Sequence, residues 1–186
     1  MKVIFGLGNI GEEYMTTRHN IGFQFVDYVL KETGGSETGQ KKHKGIIVRK
    51  EVGDETVLFV KPTTLMNLSG DCVRDLVSFY KVSMEDILIV HDDLDIPLGG
   101  YKMQISKGPK GHNGLIDIER KLGTKDFLRL RLGIENRTDI RFSGEDYVLG
   151  KFSKEEDLII RETFVSVWEM MMSSFIKCEE TEVQRN

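Results

Sequence analysis

The sequence is poor in cysteine, proline and tryptophan, with two, three and one respectively among 186 residues. Cys72 and Cys178 lie far apart, which excludes a disulfide framework and gives no metal-ligand spacing. Cys72 falls in an apolar helical pattern and reads as a buried free thiol. No apolar run approaches the roughly 20 residues that a bilayer-spanning helix needs. Met1 to Phe5 runs straight into a glycine-rich turn rather than a signal-peptide core, so the expected compartment is the reducing cytoplasm. Positive charge is also in short supply: 26 basic against 30 acidic side chains give a net charge of −4. Taken as an average, that balance speaks against a nucleic-acid-binding protein. What is present is ordinary for one globular domain able to bury a full core, with 39% hydrophobic and 30% charged residues and 19 glycines.

Apolar patterning sets the element order. Val3 to Leu7 reads as a short buried strand ended by Gly6, Gly8 and Gly11. From Asn20 a helix follows through Ile21, Phe25, Val26, Val29 and Leu30, and Gly34-Gly35 stops it. Ser36 to Lys42 reads as a loop, and Ile46 to Lys50 with Thr56 to Lys61 as a hairpin turning at Gly53-Asp54. Cys72, Val73, Leu76, Val77 and Tyr80 mark a second helix. Ile87 to Val90 is a dense apolar run suited to a strand covered on both faces. Tyr101 to Ile105 and Leu128 to Ile134 read as strands flanking a helix over Gly111 to Leu122. Asn136 to Glu145 has no periodicity, and a lid is expected over 139–146. A last helix carries Ile160, Phe164, Val167, Trp168, Met171 and Phe175, with a frayed tail over 179–186. Met170 to Met172 read as core rather than a binding face. The alternation predicts a single-domain α/β fold in three layers around a mixed, mainly parallel central sheet.

Three kinds of segment carry chemistry. Gly6-Leu7-Gly8-Asn9-Ile10-Gly11 matches G-x-G-x-x-G after a strand, the form of a dinucleotide-binding turn. That reading needs a helix N-terminus facing pyrophosphate, yet Glu12-Glu13 put two negative charges there. No acidic residue stands at the second-strand position either, so the motif reads as a turn presenting Asn9, with a purely structural turn as the plain alternative. His19 precedes a helix and can cap, pack or act. His91-Asp92-Asp93-Leu94-Asp95 ends the most apolar strand, where ligand groups gather in open α/β sheets, and its carboxylates and histidine could hold a divalent metal. Asn67 and Asn113 join Asn9 in strand-to-helix connections. A lone asparagine there is usually a turn or cap residue, but its amide can also hold a water or an ester carbonyl without a salt bridge.

The segments GLGNIG, TRHNIGF, KPTTLMNLSG, HDDLDIPLG, GHNGL, FLRLRLGI and YVLGKFS stand in one order and spacing from Val3 to about Ser153. Together they resemble bacterial-type peptidyl-tRNA hydrolase. The resemblance implies a monomeric, metal-independent esterase without cofactor that frees peptides from peptidyl-tRNA, contacting its 3′ CCA end and acceptor stem. It implies His19 as the catalytic histidine, Asp92 as the carboxylate orienting it, and Asn9, Asn67 and Asn113 as site asparagines. Tyr14, Leu65 and Met66 then line the cleft near the tRNA 3′ end, and Arg131 is a phosphate-contacting position. Ile10 stands where proline is common, Leu65 replaces an aromatic residue, and Gln104 replaces a phosphate-binding lysine. Lys107-Gly108-Pro109-Lys110 is less glycine-rich than the family loop, and Glu135-Asn136 departs from a Gly and a small or basic residue. Lys102, Lys107 or Lys110 are the candidates to compensate for Gln104. A retained fold without activity, serving only to bind RNA, is the alternative reading.

The charge is unevenly placed. Gly99 to Arg137 holds 9 basic and 4 acidic residues, a local +5, and the rest holds 17 against 26, a balance of −9. A field of that sign steers an RNA backbone toward the loop carrying Asn113.

Overall fold

The computed structural model describes residues 1–34, 39–108, 111–138, 141 and 143–176. Among these residues, seven strands form one sheet in the order β2-β3-β4-β1-β5-β7-β6. Their ranges are β1 Lys2–Gly6, β2 Gln40–Lys42, β3 Gly45–Val52, β4 Glu55–Pro62, β5 Ile87–Pro97, β6 Tyr101–Ile105 and β7 Leu128–Glu135. The central four, β4, β1, β5 and β7, are mutually parallel, while β3 pairs antiparallel with β2 and β4, and β6 antiparallel with β7. Among the described residues, five α-helices complete the fold: α1 Ile21–Glu32, α2 Ser69–Tyr80, α3 Asn113–Leu122, α4 Gly144–Leu149 and α5 Lys154–Ser174.

Side chains alternate across the pleat, so each central strand feeds two cores. Ile4, Leu88 and Val90 pack with α1 and α5, whereas Val3, Phe5, Ile87 and Ile89 pack with α2 and α3. This is the expected mixed, three-layer α/β domain. Met171 is fully buried, and Met170 and Met172 pack against the same cluster, so the methionine run is core. Cys72 is buried, and burial pushes its thiol up to about 12. Among the described residues no helix is long and apolar enough to cross a membrane.

Three boundaries differ from expectation. Gln40 to Lys42, expected as loop, form an exposed edge strand. β5 runs on to Pro97, with a register shift between Asp93 and Pro97. The aperiodic segment after Asn136 ends in α4, capped where Ser143 Oγ accepts the Asp146 N–H at 3.1 Å. Residues 139, 140 and 142, which begin the expected lid, lie outside the described residues, as do Lys110, Cys178 and the tail over 179–186.

Chain direction reverses at β1: the chain leaves it toward β4 with α1 on one face, and α2 and α3 cover the other. The carboxyl ends of β1 and β5 therefore open the crevice where parallel sheets bind ligands. Close approach there depends on a glycine. A Cβ on Gly22 would lie 2.4 Å from Leu7 N and 2.5 Å from the Val90 carbonyl oxygen, so α1 begins pressed onto the strand ends.

Candidate active site

A cleft of about 580 Å³ opens over those strand ends, lined by Asn9, Tyr14, His19, Leu65, Met66, Asn67, Asp92 and Asn113, with His112 and the α4 residues Gly144, Glu145, Val148 and Leu149. The glycine-rich motif opens no helix at Gly11; it passes into a single 3-10 turn over Glu12–Tyr14, and its work is to place Asn9. Asn20 holds that turn from both sides, its Oδ1 accepting the Asn9 N–H at 2.9 Å and its Nδ2 donating to the Asn9 carbonyl at 2.9 Å. Asn9 Oδ1 accepts the Met66 N–H at 2.8 Å, which joins the β1 turn to the segment presenting Asn67. The amide orientation this fixes points the remaining donor, Nδ2, away from Met66. Asn67 sits on a 3-10 turn before α2, and Asn113 is the first residue of α3; both are exposed in the cleft.

Asp92 is the centre of the charge arrangement. One oxygen, Oδ1, lies 2.9 Å from His19 Nδ1 and 3.1 Å from His112 Nε2. His112 caps α3, its Nδ1 accepting the Leu115 N–H at 3.4 Å, so its Nε2 is the nitrogen free to carry the proton donated to Asp92. Burial would raise the Asp92 carboxyl, but the two histidines and their hydrogen bonds hold it far below the usual carboxylate range. For His19, burial favours the neutral ring, and the charge and hydrogen bond of Asp92 more than reverse this, so its pKa is raised above 6.5. With Nδ1 held by Asp92, the other ring nitrogen is the one available for proton transfer.

The metal reading of the His91–Asp95 segment is corrected by the pleat. Adjacent residues of β5 point to opposite faces, so Asp92 turns away from His91 and Asp93. His91 Nδ1 binds the Asp92 backbone oxygen at 2.7 Å, and burial, with His112 alongside, pushes this ring down to about 3. Asp93 is fully buried and takes the Arg131 Nε at 2.6 Å. Among the described residues, the group that brings three possible metal ligands within 4.8 Å of one another is instead His19, Asp92 and His112. Both ring nitrogens already meet Asp92 Oδ1 at hydrogen-bond distance.

The structure thus gathers His19, Asp92, Asn9, Asn67, Asn113, Tyr14, Leu65 and Met66 around one cleft, Leu65 with its side chain half exposed at the rim. Among the described residues, the basic candidates Lys102, Lys107 and Arg131 do not line it. Lys102 and Arg131 are register partners on β6 and β7, and Arg131 in turn sits beside His91 on β5. Gln104 accepts the Arg131 Nη1 at 2.9 Å, so it orients this guanidinium rather than offering a cation of its own. Lys107 is exposed in the loop after β6. Sequence reasoning missed His112, Asn20 and, beyond the expected lid over 139–146, Val148 and Leu149 of the α4 wall. One signal was available for the first: His112 falls within the GHNGL segment, beside the Asn113 already singled out.

Comparison with known proteins identifies the family. The family model described as peptidyl-tRNA hydrolase matches residues 3–185. A peptidyl-tRNA hydrolase of Neisseria meningitidis is 48% identical over 155 residues, covering 83% of this chain and 80% of that protein. One of Bdellovibrio bacteriovorus is 43% identical over 156 residues, covering 84% and 83%. The crystal structure of the peptidyl-tRNA hydrolase from Acinetobacter baumannii superposes with a TM-score of 0.80 at 32% identity, covering 97% of this chain and 95% of that one. With a cleft of this composition on a fold shared over nearly its whole length, the chain belongs to the peptidyl-tRNA hydrolase family of ester hydrolases.

Proposed function

We propose that this chain, acting as a monomer in the cytoplasm, hydrolyses the ester between the peptide and the 3′-terminal ribose of peptidyl-tRNA, with water as the nucleophile. The observation that carries the mechanism is His19 Nδ1 held 2.9 Å from a buried, ionised Asp92 at the cleft wall. As water oxygen bonds to the ester carbonyl carbon, His19 Nε2 takes its proton, and Asp92 stabilises the imidazolium that forms. The tetrahedral intermediate collapses with cleavage of the bond to the ribose 3′-oxygen, and the imidazolium returns the proton to that leaving oxygen. Amide donors of Asn9, Asn67 and Asn113 hold the water and the developing oxyanion, a contribution of roughly 3 kcal/mol per well-placed donor in other hydrolases. An aminoacyl ester is activated enough that no serine or cysteine nucleophile is required.

Tyr14, Leu65 and Met66 receive the 3′ end of the tRNA, and Lys102, Lys107 and Arg131 contact acceptor-stem phosphates. Arg131 suits this because Asp93 and Gln104 engage Nε and Nη1, which leaves Nη2 for a phosphate oxygen. The test is a peptidyl-tRNA hydrolysis assay on the parent and His19→Ala proteins, each with EDTA. Expected is full parental turnover in EDTA and a loss of at least 100-fold in the variant. Equal turnover by His19→Ala would end the dyad mechanism, loss in EDTA would favour a metal, and an inactive parent would favour a protein that only binds RNA.

A further inference from the structure

Directly before His19 stands an arginine whose side chain is buried and whose two terminal nitrogens are engaged by partners outside its own turn. Arg18 Nη1 donates to the Lys151 carbonyl at 2.8 Å, and Nη2 donates to both oxygens of Glu156 at 3.0 and 2.8 Å. Its guanidinium carbon lies 4.2 Å from the Tyr147 ring centroid and 5.2 Å from that of Phe152. Its backbone N–H donates to the Gly150 carbonyl at 2.9 Å, and Thr17 forms a bridge with Lys151. Every one of these partners belongs to α4, to the N-terminus of α5 or to the joint between them.

We propose that Arg18 is a positioning residue that fixes the α4 wall of the cleft at a set distance from the His19 turn; the inference rests on the hydrolase reading above. Val148 and Leu149 give that wall its apolar face. A helix of six residues has no stability of its own, so its place is dictated by what holds it. Glu156 is the other half of the clamp. It closes the α5 capping box, accepting the Ser153 N–H at 2.7 Å, and it also accepts Asn136 Nδ2 at 3.4 Å. Arg18 therefore ties one carboxylate to the start of α5 and one carbonyl to the end of α4, with two aromatic faces between. Only a planar fork serves all of these; a lysine supplies one point charge. Net stability does not account for such an arrangement, since buried ion pairs often add little compared with apolar residues of the same volume.

The test separates positioning from stability. Arg18→Met combined with Glu156→Gln removes both charges together, so no buried charge is left unpaired. Gly150→Ala leaves both charges in place; its backbone, at φ −72° and ψ 155°, accepts alanine, but the new Cβ would stand 3.0 Å from Arg18 Nη1. Each variant is assayed on peptidyl-tRNA well below its melting temperature, with a pH profile. The double variant is expected to lose 10- to 100-fold in kcat/KM, mainly through KM, with the acid limb of the profile at the parental pH. Gly150→Ala is expected to raise KM severalfold. Parental KM in both, or in Gly150→Ala alone if the double variant does not fold, would overturn the inference. A parent without turnover would instead overturn the functional reading.

Discussion

At the residue scale, the site is two imidazoles competing for one carboxylate oxygen. His112 is spoken for on both nitrogens, by Leu115 and by Asp92, and so serves to fix Asp92 rather than to move a proton. His19 keeps one nitrogen free. Its raised pKa has a consequence with a definite sign. A general base works only when unprotonated, so kcat/KM should fall as pH drops through the His19 value, which lies above the ordinary 6.5. In Asp92→Asn the charge that raises the value is gone and the burial that lowers it remains. The acid limb should therefore move to lower pH, while the rate at pH 8 falls by roughly 10²–10⁴, as when a triad carboxylate is neutralised. A pH profile of kcat/KM for both proteins checks this; a limb that stays in place would show that some other group titrates. Asn9 and Asp92 stand out in the sequence because their types and strand-end positions suit the chemistry, whereas His19, which could equally cap or pack, is singled out by the family resemblance. Asn20 and His112 do not stand out, because each acts through a partner, Asn9 or Asp92, that only the fold brings near.

At the scale of elements, the start of α3 is where packing meets the site. Asp117 Oδ2 accepts the Gly70 N–H at 2.9 Å and so anchors the N-terminus of α2 to α3. A Cβ on Gly114 would lie 2.6 Å from Met66 Sδ and 3.2 Å from His112 Cε1. Gly114→Ala should cost about 1–3 kcal/mol by overpacking. It should also lower kcat, because once the Met66 side chain gives way the new methyl still presses on Leu7 and on His112, the ring that holds Asp92. Thermal unfolding together with turnover tests both halves; a destabilised variant with parental kcat would confine Gly114 to packing. Long elements with a clear period, such as α1 and α2, were readable because their apolar faces are written into the chain, and β1 because it is a dense apolar run ended by glycines. β2 and α4 were not. The first has three residues, all exposed, and the second has six, held by the Ser143 cap, the Arg18 stack on Tyr147 and the Tyr147 hydroxyl donating to Ile134 at 2.8 Å. Their stability comes from tertiary contacts, which leave no periodic trace. The helical form of the α4 wall therefore leaves no mark in the sequence, where its first residues read only as the end of an aperiodic lid.

At the scale of the whole molecule, the question is how an acidic protein meets a polyanion. The nine basic side chains between Gly99 and Arg137 suggest a strong field, but most of them are paired with carboxylates in the fold. Arg120 pairs with Asp117 at 2.5 Å, Lys121 with Asp71 at 2.5 Å, Arg129 with Glu119 at 3.1 Å and Lys125 with Glu119 at 3.5 Å. Arg137 is bound to Glu135. Among the described residues of this segment, Lys102 and Lys107 are the cations without such a pair, and Arg131 keeps part of its guanidinium free. Three cations neutralise about three phosphates, so log kcat/KM for peptidyl-tRNA should fall against log salt with a slope of roughly −2 to −3. Lys102→Gln with Lys107→Gln should flatten that slope by about 2, while turnover of a short CCA-ended peptidyl oligonucleotide stays at the parental level. Both side chains are exposed and away from the cleft lining, so the fold should tolerate the change. A slope unchanged in the double variant would place the backbone contact elsewhere on the surface. Since the rest of the molecule carries −9, repulsion then orients the tRNA as much as attraction does, confining it to the one face where the acidic field is broken.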